Sequence, residues 1–206
     1  MTVEELQVRR IVVSASGLLY WGGVLVLARR IQRHIGHSPN VKPRGAKEKA
    51  LWLCWFLVIL VWIGQPLMAG ESASNWGLRF LAPWLNPLGL SLGFLLVVLG
   101  YACTLWCYAA MGDMWRMGIN RKEKTILVNR GPYRWVRHPI YSLQLVMLAG
   151  TALLLPTPAS VGILVFHYVC VRIKAADEEK YLISIHGDPY RDYLKLTGRL
   201  IPKLLR

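Results

Sequence analysis

The sequence predicts an all-α, polytopic membrane protein. Three features carry that expectation: 54% of the residues are hydrophobic, the mean hydropathy is +0.36, and five apolar runs alternate with basic loops. A net charge of +14 in a soluble chain of 206 residues would raise nucleic acid as a partner. Here the charges lie between the apolar runs, and no basic face carries interleaved aromatics. Basic loops flanked by spans meet anionic lipid headgroups, so the expected surroundings are a bilayer and the expected partners do not include nucleic acid.

A membrane span needs about 20 apolar residues at ~1.5 Å rise each. The first run, 11–28, follows a short stretch holding Glu4 and Glu5 and shows no small-x-small cleavage pattern, so it reads as a retained first helix. The second and third are 50–69 and 88–110. The fourth and fifth, 140–155 and 159–173, are short, and Pro156-Thr157-Pro158 alone separates them. That spacing predicts a helical hairpin.

Basic residues fix the expected orientation. Seven lie in 29–49, seven in 111–138 and eight from Arg172 onward, whereas Arg9, Arg10 and Arg79 stand alone on the other side. Five crossings with the N-terminus outside place 22 of 25 basic residues in the cytoplasm. The chain is expected to form one integral membrane domain over 1–206, with three spans in 1–110 and a chemically active region in 111–206.

The four cysteines (Cys54, Cys103, Cys107, Cys170) fall inside apolar runs, where cysteine packs as a small hydrophobe. They offer no disulfide framework and no CxxC, and no metal is expected. Trp52, Trp55, Trp62, Trp76 and Trp84 lie near span ends or within the second span, as interfacial belts and packing both allow, and suggest no cofactor box.

Chemistry concentrates in two segments. One runs from Gly112 to Tyr141 and includes Thr125-Ile126-Leu127-Val128, Tyr133 and Arg137-His138-Pro139-Ile140-Tyr141. Proline is well placed at a first helical position, because its missing N–H would have had no intrahelical partner. Arg137 and His138 then sit at a helix N-terminus, where free N–H groups favour an anion and an arginine can pair a carboxylate bidentately. Taken alone, Arg130, Arg134 and Arg137 read more simply as headgroup anchors.

The second segment holds Arg172, Lys174, Asp177-Glu178-Glu179, Gly187-Asp188-Pro189-Tyr190, Tyr193 and Gly198-Arg199-Leu200-Ile201-Pro202. Three acids at the exit of a helix oppose its dipole, so something should offset them. A solvated helix with Lys174 and Glu178 as a surface pair is the plain alternative. Because spans four and five form a hairpin, the two segments meet at one surface. An anion-favouring helix start beside an acidic helix end suits a zwitterion with a further cation, such as an amino acid carrying a sulfonium.

The ordered pattern Leu127-Val128-x-x-Gly131-x-Tyr133-x-x-x-Arg137-His138-Pro139-x-Tyr141, then Arg172, Glu178-Glu179, Gly187-x-x-Tyr190-x-x-Tyr193 and Gly198-Arg199-Leu200-x-Pro202, resembles the isoprenylcysteine carboxyl methyltransferase family and its prokaryotic relatives. These belong to a wider group of membrane methyltransferases that includes phospholipid N-methyltransferases. The resemblance covers about the C-terminal half. It implies S-adenosyl-L-methionine as co-substrate in a cytosolic pocket roofed by the C-terminal segment, with a lipophilic acceptor entering from the bilayer. It further implies that Thr125, Ile126, Leu127, Val128 and Tyr133 line the cofactor pocket, with Arg137 near it and His138, Pro139, Ile140 and Tyr141 at its base. A glutamate of the Glu178-Glu179 pair would meet the cofactor and Arg172 would orient the acceptor, with Lys174 as its possible replacement. Leu143 and His186 depart from the usual pattern, standing where a small residue and an aromatic are common.

A carboxylate acceptor needs no base and would pair with Arg172 or Lys174. An amine must lose a proton, which Glu178 or Glu179 would take. The residues offer both, so an O- or S-nucleophile and a phospholipid amine stay open. A non-enzymatic membrane scaffold of the same fold is a reading from another class. Transport is weaker, since Gln65, Gln144 and His167 are the notable polar residues at mid-membrane depth and no acid accompanies them.

Overall fold

Apolar runs bounded by basic connections fold into six helices among the residues that the computed structural model describes: 3–43, 45–68, 82–118 and 126–203, with the backbone alone for 82–87. They are α1 (Val3–Ile35), α2 (Ala46–Met68), α3 (Ala82–Met111), α4 (Pro139–Leu154), α5 (Pro158–His186) and α6 (Asp188–Leu196). The chain is an all-α polytopic membrane protein. Leu18, Leu19, Leu53, Phe56, Leu95, Leu99, Val165 and Val169 are exposed on the outer faces of the bundle, where hydrocarbon covers what water would not tolerate. Arg79, Trp76 and Thr125 lie outside the described residues, as does the side chain of Trp84.

Four stretches are long and apolar enough to cross a membrane: α1, α2, Leu88–Met114 and α5. The expected fourth span is shorter. With 16 residues α4 reaches only ~24 Å, against a hydrocarbon core of about 30 Å. It fits because it packs inside the bundle. Glycines let it approach α3: a methyl on Gly93 would lie 2.8 Å from the Gly150 carbonyl oxygen, and one on Gly100 would lie 2.5 Å from Met147. Small residues at such a seam are how helices associate where the hydrophobic effect gives no drive.

Side chains at the two ends of the bundle show that the helices alternate in direction. At one end, Arg9 donates to the Leu154 carbonyl (3.1 Å) and to Glu5 (2.7 Å), holding the last turn of α4 against α1. Gln65 of α2 accepts from Thr157 (2.9 Å) and Ser160 (3.0 Å) at the tip of the α4–α5 hairpin. Thr157 in turn caps α5, accepting from the Ser160 N–H. At the other end, His34 of α1 meets Asp113 beyond α3 (2.8 Å), and Lys47 and Glu48 of α2 meet Asp177 and Lys174 of α5 (2.8 and 3.1 Å). The basic connections therefore share one end of the bundle.

Helix α5 runs well past the expected end at 173, and this changes the meaning of the three acids. Asp177, Glu178 and Glu179 lie about two turns inside the helix, so they do not face the C-terminal dipole. Each is met by a cation from elsewhere.

Candidate active site

The segment ahead of α4 is built by backbone chemistry that its sequence dictates. Gly131 adopts φ +58, a left-handed conformation that few side chains tolerate, and starts a 3-10 turn, Gly131–Arg134. Arg130 Nε donates to the Ala110 carbonyl (2.9 Å), satisfying an acceptor that the end of α3 leaves open. Pro139 occupies the first turn of α4, as its sequence position predicts.

The N–H groups of Arg137 and His138, just ahead of α4, are already used. Arg137 N–H donates to the Gly198 carbonyl (2.9 Å), His138 N–H to that of Arg199 (3.1 Å), and Gly198 N–H to that of Trp135 (3.1 Å). Val136 and Gly198 form a parallel β-bridge. The C-terminal segment is thus stapled along the start of α4. Ser142 Oγ adds a bond to the Leu200 carbonyl (2.6 Å), and Tyr193 Oη donates to the Tyr133 carbonyl (2.5 Å). Gly198 permits the turn, since a methyl there would fall 1.6 Å from the Ile201 carbonyl oxygen.

Two carboxylates organise the charges, and they divide the work. Glu179 faces the staple: its Oε1 lies 2.8 Å from Arg137 Nε and its Oε2 2.5 Å from an Arg199 amino group. Arg137 also donates to the Thr197 carbonyl. Glu178 accepts from Tyr141 Oη (2.8 Å) and lies 3.3 Å from His138 Nδ1 and 3.8 Å from Lys174 Nζ. His138 stacks on Tyr141 with ring planes 10° apart. Burial lowers the His138 pKa, but the neighbouring carboxylates of Glu178 and Glu179 outweigh it and hold the imidazole above its usual value. Its Nε2 stands 3.5 Å from Glu179 without hydrogen-bond geometry, a buried nitrogen with no bonded partner among the described residues. Burial likewise raises Tyr133 well above the usual phenol range and pushes Tyr193 up to about 12, so both phenols are neutral donors.

These groups surround a cavity of about 280 Å³. Ile126, Leu127, Val128, Tyr133, Arg137, His138, Pro139, Ile140, Tyr141 and Glu178 all line it. Thr125, expected beside them, lies outside the described residues. Glu179 is not among the lining residues and instead sits behind them in the ion-pair cluster.

Arg172, expected to orient the acceptor, is exposed, and its guanidinium lies 6.0 Å over the Tyr168 ring. The geometry of a helix explains this placement. Two residues along is about 200° around the axis, so Arg172 and Lys174 face opposite ways. Lys174 is the inward cation, 2% exposed and paired with Glu48 as well as Glu178, and is no surface pair.

The opposite wall comes from helices that the motifs do not touch: Tyr20, Trp21 and Val24 of α1, Trp52, Trp55, Phe56 and Ile59 of α2. Trp52 and Trp55, for which the sequence allowed an interfacial belt or a packing role, thus line the cavity. Trp55 packs on Tyr141 at 6.1 Å. Their spacing of three places both on one helix face, which is the signal that would have found them. The arrangement joins a charged, hydrogen-bonding end to an aromatic one within a single cavity.

Comparison with known proteins agrees with this division. Residues 92–184 match the model of the Isoprenylcysteine carboxyl methyltransferase (ICMT) family. The cobalt-zinc-cadmium resistance protein CzcN of Cupriavidus metallidurans is 24% identical over 147 residues, 71% of this chain and 62% of that protein. Protein-S-isoprenylcysteine O-methyltransferase of Saccharomyces cerevisiae is 37% identical over 116 residues, 54% of this chain and 48% of the yeast protein. Protein-S-isoprenylcysteine O-methyltransferase B of Arabidopsis thaliana is 28% identical over 155 residues, 73% of this chain and 72% of that protein. The chain spans about half to three fifths of the length of the first two relatives. Residues 92–184, the stretch in which this chain is similar to the isoprenylcysteine carboxyl methyltransferase family, supply α4, most of α5 and the charged end of the cavity.

Proposed function

We propose that the chain is an S-adenosylmethionine-dependent membrane methyltransferase acting on a lipophilic acceptor, with the basic end of the bundle in the cytoplasm. The observation that carries this reading is the meeting of Glu178, His138 and Tyr141 with the tryptophans of α1 and α2 in one cavity. A co-substrate that is cationic at sulfur, zwitterionic at one end and aromatic at the other finds a chemically suited set here. Glu178 offers a carboxylate to hydroxyls or positive charge, and the buried Nε2 of His138 is a polar atom still without a bonded partner. Aromatic walls suit a purine ring and a sulfonium methyl. When bound, S-adenosylmethionine would supply an electrophilic methyl group.

The chain's own residues would do three things. Glu178, held by Tyr141 and Lys174, fixes the polar end of the co-substrate. Trp52, Trp55 and Phe56 present an apolar surface for the acceptor and keep water from the reacting atoms. The staple from Thr197 to Leu200 holds the start of α4 rigid, so the two reactants keep their mutual orientation, which is where most of the rate gain in such a displacement arises.

Calorimetric titration of S-adenosylhomocysteine into the detergent-purified chain tests this. Micromolar binding by the wild type, lost in Glu178→Ala, supports the reading. A folded wild type that binds neither S-adenosylhomocysteine nor S-adenosylmethionine overturns it and leaves a membrane scaffold of the same fold.

A further inference from the structure

Behind the charged wall of the cavity stands a lysine between two carboxylates. Lys174 Nζ donates to Glu48 Oε1 of α2 at 3.1 Å and lies 3.8 Å from Glu178 Oε1. Glu178 lines the cavity, whereas Lys174 and Glu48 are not among its lining residues. The Lys174 and Glu48 side chains are only 2% and 12% exposed, so water and salt screen their charges little. Glu48 is placed from a second side as well. A methyl on Gly118, next to the cavity-lining residues 114–117, would come within 2.9 Å of its Oε1.

The lysine's hydrogen bond is spent on Glu48, and its distance to Glu178 exceeds hydrogen-bond range. The other groups that face Glu178 are the Tyr141 hydroxyl at 2.8 Å and His138 Nδ1 at 3.3 Å. Glu48 touches neither of them, so its effect on the cavity passes through the lysine. With Glu48 charged, Lys174 is neutralised from behind. Without that charge, an ammonium would stand 3.8 Å behind the cavity's carboxylate and repel any cation brought to it. Lys47 and Asp177 also join α2 to α5, at 2.7 Å, but with side chains 65% and 26% exposed and no part in the cavity lining. That pair ties the same two helices without reaching the site.

We infer that Glu48 is a specificity-determining residue of the cavity: by neutralising Lys174 it lets the Glu178 wall hold a sulfonium in preference to the neutral thioether that methyl transfer leaves. S-adenosylmethionine carries one positive charge more than S-adenosylhomocysteine, at sulfur, and the carboxylate, ammonium, ribose and purine are common to both. Glu48 lies on α2, outside residues 92–184, so this preference belongs to the part of the chain that the family model does not match. The inference rests on the methyltransferase reading for the identity of the two ligands.

The test is calorimetric titration of the full chain in detergent with S-adenosylmethionine and, separately, with S-adenosylhomocysteine. The quantity read is the ratio of the two affinities, in which contacts common to both ligands cancel. Glu48→Gln keeps the size of the side chain and an oxygen for Lys174 but removes the charge. It should shift the ratio about five-fold or more toward S-adenosylhomocysteine, while S-adenosylhomocysteine itself binds within about two-fold of wild type. Glu48→Asp restores the charge and should return the ratio toward wild type, and Lys47→Met should leave the ratio unchanged. A ratio unmoved in Glu48→Gln, or an equal loss of both ligands, makes Glu48 a tie between helices and overturns the inference while the methyltransferase reading stands. A shift as large in Lys47→Met also overturns it, because charge anywhere on the α2–α5 seam would then suffice. Failure of both ligands to bind the folded wild type overturns the methyltransferase reading and this inference together.

Discussion

Arg137 Nε and Glu179 Oε1 stand 2.8 Å apart, with the two side chains only 9% and 7% exposed. This pair joins the start of α4 to the middle of α5, and through Arg199 it also holds the C-terminal staple. Removing one partner of a buried pair leaves the other charge without compensation. Glu179→Ala should therefore destabilise the protein by about 3–5 kcal/mol. Arg199 is 32% exposed, so Arg199→Ala should cost no more than about 1 kcal/mol. Thermal unfolding of both variants in detergent measures the contrast. Equal midpoints would show that the cluster does not hold the staple.

His138 gives the site a pH dependence of definite sign. Its folded-state pKa is raised above the usual 6.5, burial being outweighed by Glu178 and Glu179. A raised pKa means that the folded state holds the proton more tightly than the unfolded one. That contribution is fully present below about pH 6.5 and is lost as pH rises through the folded-state value. The unfolding midpoint should fall across this window in the wild type, and the fall should be smaller in His138→Gln. A parallel fall in both proteins would assign the titration to another group.

How much of this site was legible in the sequence depends on which physical rule governs each residue. Pro139 and Gly131 announce themselves, because a first-turn proline and a glycine at positive φ satisfy local constraints. The hairpin was legible too, since Pro156-Thr157-Pro158 leaves no other path. The roles of Glu178 and Glu179 were not. Adjacent residues on a helix point about 100° apart, and only the rotation of α5 against α4 decides which one meets the cavity. Trp52 and Trp55 were hidden for the same reason: an aromatic near a span end fits a lipid belt as well as a cavity wall. The overhang of α5 stood in the sequence only as the plain alternative, because its last turns are charged, and an apolar-run search stops where charge begins.

Gly198 offers a test of the staple that leaves every charge in place. A methyl there would lie 1.6 Å from the Ile201 carbonyl oxygen and 2.8 Å from its carbon, both backbone atoms that cannot rotate aside. Gly198→Ala should break the bridge to Val136 and release the segment that covers Arg137 and His138. Hydrogen exchange of the Arg137 and His138 amides, which donate into this segment, should rise at least ten-fold, a loss of about 1.4 kcal/mol or more of local stability. Protection equal to wild type would show that the segment re-forms its turn elsewhere.

Arg172 and Lys174 of α5 make opposite predictions, and together they decide which of them serves the site. Lys174 is 2% exposed and lies 3.1 Å from Glu48 and 3.8 Å from Glu178, so it balances a carboxylate on α2 and the one in the cavity. Lys174→Met keeps the length of the side chain but removes the charge. It should lower stability by about 3 kcal/mol or more, since Glu48 and Glu178 then face each other with less compensation. It should also weaken S-adenosylhomocysteine binding, because Glu178 would lose a group that holds it in place. Arg172 is exposed, with its guanidinium over Tyr168, and Arg172→Ala should stay within about 0.5 kcal/mol of wild type with unchanged ligand affinity. Calorimetry and thermal unfolding of the two variants side by side provide the measurement. Loss of binding in Arg172→Ala with full binding in Lys174→Met would return the acceptor-orienting role to Arg172, and would require α5 to turn by about half a revolution when ligand binds.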